Sequence, residues 1–150
     1  MPAHNVNKII DTLVYNETMI LYVSATQGEA AQVPSDYPLI VTGIGIIRAT
    51  LALTEYLARA NKLPERIINF GTAGSLDGKT GIFEIDHVFQ HDFDHKVIEQ
   101  IIGKPFPNGI DLPTVSTLPA ARLATGDSFV NDSDTRVRLA QQAQLCDMEG

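Results

Sequence analysis

Glu29 and Glu149 are the two acidic residues whose placement invites a chemical reading. Glu29 closes Ala25-Thr26-Gln27-Gly28-Glu29 after the apolar run Met19–Val23, and Glu149 lies in Met148-Glu149-Gly150 after Leu145-Cys146-Asp147. A carboxylate at the end of a buried strand must be hydrogen-bonded, to a ligand or to the chain, because an unpaired buried charge is costly. Two solvated loop glutamates are the plain alternative. Small residues crowd the equivalent positions elsewhere: Gly43-Ile44-Gly45, Gly71-Thr72-Ala73-Gly74 and Gly126-Asp127-Ser128-Phe129-Val130-Asn131 each follow an apolar run. In open α/β sheets ligands bind beyond the carboxyl ends of the strands, and small residues there let backbone amides come close.

Other groupings carry less. Gly43-Ile44-Gly45 opens like a dinucleotide fingerprint, but Arg48 stands where the third glycine belongs. His87, His91 and His95 recur every four residues with Asp86, Asp92 and Asp94 among them, which on a helix would align three imidazoles for a metal. On a strand, His87 and His91 would share a face but lie roughly 13 Å apart. Such residues then pair with each other or with the chain that follows. Cys146 reads as a small core residue, and Asp127 as a turn cap with Ser128.

Periodicity supplies the elements that must position these groups. Val6–Val14 has helical spacing. Met19–Val23 is a continuous apolar run of strand length, as in sheets buried on both faces. A second run, Pro38–Thr42, leads into a helix whose shared face is Ile47, Leu51, Thr54, Leu57 and Ala58, stopped at Asn61 and Leu63-Pro64. Arg66–Phe70 is a third strand, so a parallel crossover is in hand. Ile82–Phe93 reads as one long strand, with Phe83, Ile85, His87 and Phe89 on one face and Glu84, Asp86, Val88 and Gln90 on the other. From Gly103 to Pro119 four prolines mark an irregular excursion. Ala121–Thr125 is a strand, Ser133 or Asp134 caps a polar helix through Ala143, and Leu145–Met148 begins the last strand. The expectation is one α/β domain over 1–150, a mixed, mainly parallel sheet flanked by helices.

Composition bounds the partners. With 11 Lys+Arg against 18 Asp+Glu the net charge is −7 and the pI near 4.9. Without a basic cluster, neither nucleic acid nor an anionic membrane surface is an expected partner. A hydrophobic fraction of 44% is enough for a packed core. One cysteine excludes an intramolecular disulfide framework and fits a reducing compartment, so the expected location is cytoplasmic. The chain start has no leader pattern, and no apolar run approaches the roughly 20 residues of a membrane helix.

Taken together, the strand ends resemble the nucleoside phosphorylase and nucleosidase superfamily, and within it the methylthioadenosine/S-adenosylhomocysteine nucleosidases. The carriers, in unbroken order, are Gly43-Ile44-Gly45, Asn69-Phe70-Gly71-Thr72-Ala73-Gly74, His91-Asp92, Thr125–Asn131 and Asp147-Met148-Glu149-Gly150. The resemblance implies that Phe129 stacks on a purine and Val130 offers its backbone to the base edge. It places Met148 beneath the ribose and Glu149 on the ribose hydroxyls, makes Glu29 the carboxylate that helps position an attacking water, and has Thr72, Ala73 and Gly74 line the pocket. It further implies a small-molecule purine nucleoside as ligand, no cofactor, no metal, and a homodimer.

Those roles suit the chemistry. N-glycosidic cleavage passes through an oxocarbenium-like ribosyl cation, which carboxylates stabilise, and the departing purine needs an acid. The family's acid is an Asp beyond the Met-Glu-Gly turn, so the sequence is expected to be incomplete at its C-terminus. The leading function is hydrolysis of a 5′-substituted adenosine to adenine and a ribose derivative. A purine nucleoside phosphorylase and a catalytically inactive nucleoside-binding domain stay open as alternatives, with a metal hydrolase built on the histidine series behind them. Asn69 stands where phosphorylase relatives carry a phosphate-binding arginine, which favours water as nucleophile; Arg48 is the residue that could reverse this.

Overall fold

A computed structural model describes residues 19–150; the helix expected over Val6–Val14 lies outside the described residues. The chain divides into two compact units with the boundary between Thr72 and Ala73. The one mainly parallel sheet expected is realised as two parallel-rich sheets, one in each unit.

In the first unit, β1 (Ile20–Ser24) is buried at all five residues. Ile-Leu-Tyr-Val-Ser offers no polar face to water, so it takes the central place. The strands β2 (Leu39–Val41) and β3 (Arg66–Asn69) flank it in parallel, in the order β2-β1-β3. Ile20 and Tyr22 pack with Leu39, Ile68 and Phe70, and the Tyr22 ring meets Tyr37 and Phe70 edge-on. After β1 the chain makes the short helix α1 (Gln27–Ala30), and after β2 the longer α2 (Ile46–Arg59). Gly43 (φ 85°) and Gly45 (φ 104°) make the turn into α2 in backbone conformations that only glycine adopts without strain.

The rotation of α2 differs from expectation. Ile47 and Leu51 are 68% and 65% exposed, and the half-buried stripe is Ile46, Ala49, Leu53, Tyr56 and Leu57. The helix is apolar on two adjacent stripes, so spacing alone does not decide which one turns inward.

The second unit holds five strands in the order β4-β8-β7-β5-β6, parallel in the middle and antiparallel at both edges. They are β4 (Gly74–Ser75), β5 (Glu84–Gln90), β6 (Ile110–Asp111), β7 (Ala120–Thr125) and β8 (Leu145–Asp147). The helices α3 (His95–Ile102) and α4 (Ser133–Ala140) connect them. One core cluster gathers Leu76, Phe89, Ala124, Leu139 and Ala143; another gathers Ala121, Leu123 and Leu145 with Phe83, Ile85 and Val88.

Four expectations change here. The long strand stops at Gln90, because Asp94 caps a helix by accepting from the Val97 N–H and Gly103 ends it in the left-handed conformation (φ 65°). The pairing of β5 with β7 shifts register between Ile85 and His87. That irregularity breaks strict alternation, so Val88 joins Phe83 and Ile85 while Phe89 enters the other cluster. The excursion contains β6 and is tied down by Glu84, whose carboxylate accepts from the Val115 and Ser116 N–H groups and the Ser116 hydroxyl at 2.6–2.9 Å. The cap of α4 is Asp132, not Ser133 or Asp134, and the helix ends at Ala140.

Candidate functional site

The site residues of the first unit are Glu29 and Thr72. Thr26 and Glu29 form a capping box: the Thr26 hydroxyl accepts from the Glu29 N–H, and the Glu29 carboxylate accepts back from the Thr26 N–H. The same carboxylate reaches across to the turn after β3. Oε1 accepts from the Thr72 N–H and the Thr72 hydroxyl, both at 2.8 Å, and Oε2 accepts from the Thr26 N–H at 3.1 Å and the Thr26 hydroxyl at 2.9 Å. With the Ser24 hydroxyl, which donates to Oε2 at 3.4 Å, these donors number five and saturate the approximately four acceptor positions of a carboxylate. A Cβ at Gly71 would lie 3.0 Å from Oε1, so this turn closes over Glu29 because residue 71 has no side chain. Burial pushes the Glu29 carboxyl up, but the bonds from Thr72 and Thr26 outweigh it and hold the group below the usual glutamate range. Glu29 is therefore a fixed anion at neutral pH.

The remaining site residues lie in the second unit, where the sheet brings them to one end. β7 and β8 are parallel neighbours, so the segments after Thr125 and after Asp147 leave the sheet side by side. They are bonded together there: the Gly126 N–H donates to the Asp147 carbonyl at 3.3 Å, and the Gly150 N–H to Thr125 Oγ1 at 3.0 Å. The edge strand β4 runs antiparallel to β8 with Gly74 opposite Cys146, which sets Ala73 and Gly74 beside that same end. A Cβ at Gly74 would stand 3.0 Å from Cys146 Sγ. Phe129 is 74% exposed, so it is not a core residue, while the next side chain, Val130, packs against the Leu76 cluster. Met148 and Glu149 are half-buried.

Asp147, whose chemistry the sequence left unassigned, organises the Met148-Glu149-Gly150 turn. Its carboxylate accepts from the Gly150 N–H at 3.3 Å and from the Thr125 hydroxyl. Burial holds its carboxyl above the usual aspartate range despite those bonds.

The histidine series does not converge. His87 sits on β5 with Nδ1 2.7 Å from Asp111 Oδ1, His91 follows the end of β5, and His95 opens α3. Among the described residues no group of three or more His, Cys, Asp or Glu side chains is placed to hold a metal ion. The aliphatic part of Arg48 lies over Gly43, its Cδ 3.2 Å from where a Cβ there would be. Among the described residues no helix is long and apolar enough to cross a membrane.

No protein-family model matches the chain. It is 29% identical over 116 residues to the 5′-methylthioadenosine/S-adenosylhomocysteine nucleosidase of Marinomonas sp. (strain MWYL1), a match covering 65% of this chain and 49% of that protein. It is 29% identical over 146 residues to the nucleosidase of the same name from Staphylococcus epidermidis, covering 85% and 62%. The chain thus spans less than two thirds of the length of either relative. Among solved structures, a Helicobacter pylori MTAN mutant with 5′-methylthioadenosine in the active site superposes with a TM-score of 0.70 at 19% identity, over 90% of this chain and 77% of that one. The fold is that of the nucleoside phosphorylases and nucleosidases, most like the methylthioadenosine/S-adenosylhomocysteine nucleosidases.

Proposed function

We propose that the chain carries an N-glycosidase site that hydrolyses a 5′-substituted adenosine, of the methylthioadenosine or S-adenosylhomocysteine type, to adenine and a ribose derivative. The Marinomonas and Staphylococcus relatives bear that activity in their names. The observation that carries the reading is the state of Glu29: a carboxylate locked by five donors from Ser24, Thr26 and Thr72 and held ionised, beside the Gly71-Thr72 turn.

In this reading the C1′–N9 bond breaks with its electrons leaving on the purine, which takes up a proton from solvent, and water adds to C1′ through an oxygen lone pair and releases a proton to solvent. A fixed anion stabilises the cationic sugar between those events. Its lowered proton affinity suits that electrostatic role better than proton removal, for which a base near the working pH is more effective. The Thr72 hydroxyl has turned its proton toward Glu29, so only its lone pairs remain for the water. A water donating to Thr72 Oγ1 keeps its own lone pairs for C1′. Glu149 accepts from the ribose hydroxyls, Met148 lies under the ribose, Phe129 stacks on the purine, the Val130 backbone meets the base edge, and Ala73 and Gly74 lie along the nucleoside.

The anion also favours water over phosphate as nucleophile, because a carboxylate repels a phosphate dianion. Asn69, in place of an arginine, supports the same choice. A cytoplasmic homodimer belongs to the proposal; the exposed Ile47 and Leu51 of α2 supply apolar surface for a partner copy, and the single cysteine fits a reducing compartment. The test is to incubate the full chain with methylthioadenosine, S-adenosylhomocysteine, adenosine and inosine across a phosphate titration and to follow base release by chromatography. Any base release is expected to be of adenine, from the 5′-thio substrates and independent of phosphate. A rate that rises with phosphate and yields a sugar 1-phosphate, or a failure to bind adenine in calorimetric titration, overturns it.

A further inference from the structure

Phe129 poses a positional problem. Its ring is 74% exposed and packs in no core cluster, so the backbone on either side must hold it. On the far side the anchor is clear: Val130 packs on the Leu76 cluster, and two residues on Asp132 caps α4 through the Thr135 N–H at 2.8 Å. On the near side stands Ser128, and its N–H donates to Asp92 Oδ2 at 2.9 Å.

Asp92 is built to receive that bond. It follows β5, the parallel neighbour of β7, and the His91 N–H donates to the Thr125 carbonyl at 2.9 Å, so the two chain segments leave the sheet in register. The Gln90 side-chain amide donates to Asp92 Oδ1 at 2.9 Å, which fixes the rotation of the carboxylate and leaves Oδ2 for Ser128. The close approach is possible because residue 126 is glycine. A Cβ there would stand 2.7 Å from His91 Nε2 and 2.8 Å from Asp92 Cγ. Burial pushes the Asp92 carboxyl up, but Gln90, the Ser128 N–H and the neighbouring His91 hold it below the usual range, so the acceptor is charged and the bond is of the stronger kind.

We propose that Asp92 is a positioning residue that holds Phe129, through the Ser128 N–H, in the place where it stacks on the purine. This rests on the nucleosidase reading of the site, and it adds to that reading a residue that touches no substrate. Asp92 acts from the segment that follows the neighbouring strand β5, 36 residues before Ser128 in sequence.

Two measurements on the full chain test it. The first needs no ligand: heteronuclear NOE values of the Phe129 amide in wild type, Asp92→Ala and Asp92→Asn. The asparagine retains an acceptor oxygen for Ser128, and Gln90 can rotate its own amide to meet the new NH2 group. Loss of order in Asp92→Ala with rescue in Asp92→Asn is expected; equal order in all three overturns the proposal whether or not the chain binds purines. If Asp92→Ala does not fold, Gly126→Ala serves in its place, since its methyl group would stand 2.8 Å from Asp92 Cγ and 2.7 Å from His91 Nε2 and so crowds the Asp92–Ser128 contact. The second is calorimetric titration with adenine. Asp92→Ala is expected to weaken binding by about five- to tenfold and Asp92→Asn by less than about threefold, with Asp92→Ala adding nothing in a Phe129→Ala background. An equal loss in both backgrounds means that Asp92 does not act through Phe129 and overturns the proposal. Absence of adenine binding in wild type counts against the nucleosidase reading, and the NOE comparison then decides the positioning role by itself.

Discussion

Replacing Phe129 with alanine separates a ligand-stacking ring from a packing ring, because the two lose different quantities. A phenylalanine side chain carries about 200 Å² of surface, and Phe129 leaves 74% of its own exposed. Roughly 50 Å² is then covered, worth about 1.3 kcal/mol at about 25 cal/mol per Å². The expected stability loss is therefore about 1 kcal/mol and a fall in Tm of a few degrees. If the ring stacks on a base, its removal takes about 1–3 kcal/mol from binding, or about five- to 150-fold in Kd. Thermal unfolding and calorimetric titration with adenine on the same protein read both quantities. A fall in Tm of more than about ten degrees with an unchanged Kd would refute the reasoning, since it would require the ring to be covered.

Leu139, fully buried against Leu76, Phe89 and Ala124, makes the contrast: Leu139→Ala should cost about 2–5 kcal/mol in urea unfolding, and a loss below about 1 kcal/mol would mean the cluster is not a core. Glu29 has a folded-state pKa below its unfolded value, so its bonds stabilise the fold above the unfolded value of about 4.3 and that contribution disappears as pH falls through the lower folded value. Glu29→Gln should lower Tm at neutral pH, with the gap closing below about pH 4; a gap that stays constant would contradict the sign. Asp147 has the opposite sign, its pKa being raised by burial, so its charge opposes folding above the folded value and the penalty is relieved as pH falls toward the unfolded value of about 3.9. Asp147→Asn, which keeps an acceptor for Thr125 and Gly150, should be at least as stable as wild type near neutrality and lose that advantage in acid; a clear loss of Tm at neutral pH would show that the bonds need the charge.

The strands that could be read from the sequence are those whose signal is local. Ile20–Ser24 has no polar residue to face water until its last position, and Ala120–Thr125 runs straight into a glycine, so each declares itself. The α3 helix is not marked locally, because its cap Asp94 follows directly on the strand-like run Ile82–Phe93 and its eight residues make only about two turns. The β4 strand has two residues, and nothing in Gly-Ser marks a strand until β8 is beside it. The site divides in the same way. Glu29, Thr72, Phe129, Met148 and Glu149 stand in short motifs with their own spacing. The bonds from Thr72 to Glu29 and from Ser128 to Asp92 join residues 43 and 36 apart, and only the sheet order brings those partners together.

The pairing of β4 with β8 also fixes an order of events during synthesis. Gly74 finds its partner Cys146 only after a further 72 residues have been made. At about 5–20 residues per second on the ribosome, that is a wait of roughly four to fourteen seconds. The Leu76 N–H, which donates to the Gln144 carbonyl in the finished sheet, waits with it. A two-residue edge of glycine and serine is a poor template for wrong pairing, so the nascent chain can leave this strand open while β5 and β7 assemble. The Ala73-Gly74 segment is thus among the last parts of its unit to be locked, and a ribosome that stalls before Leu145 leaves it without its partner.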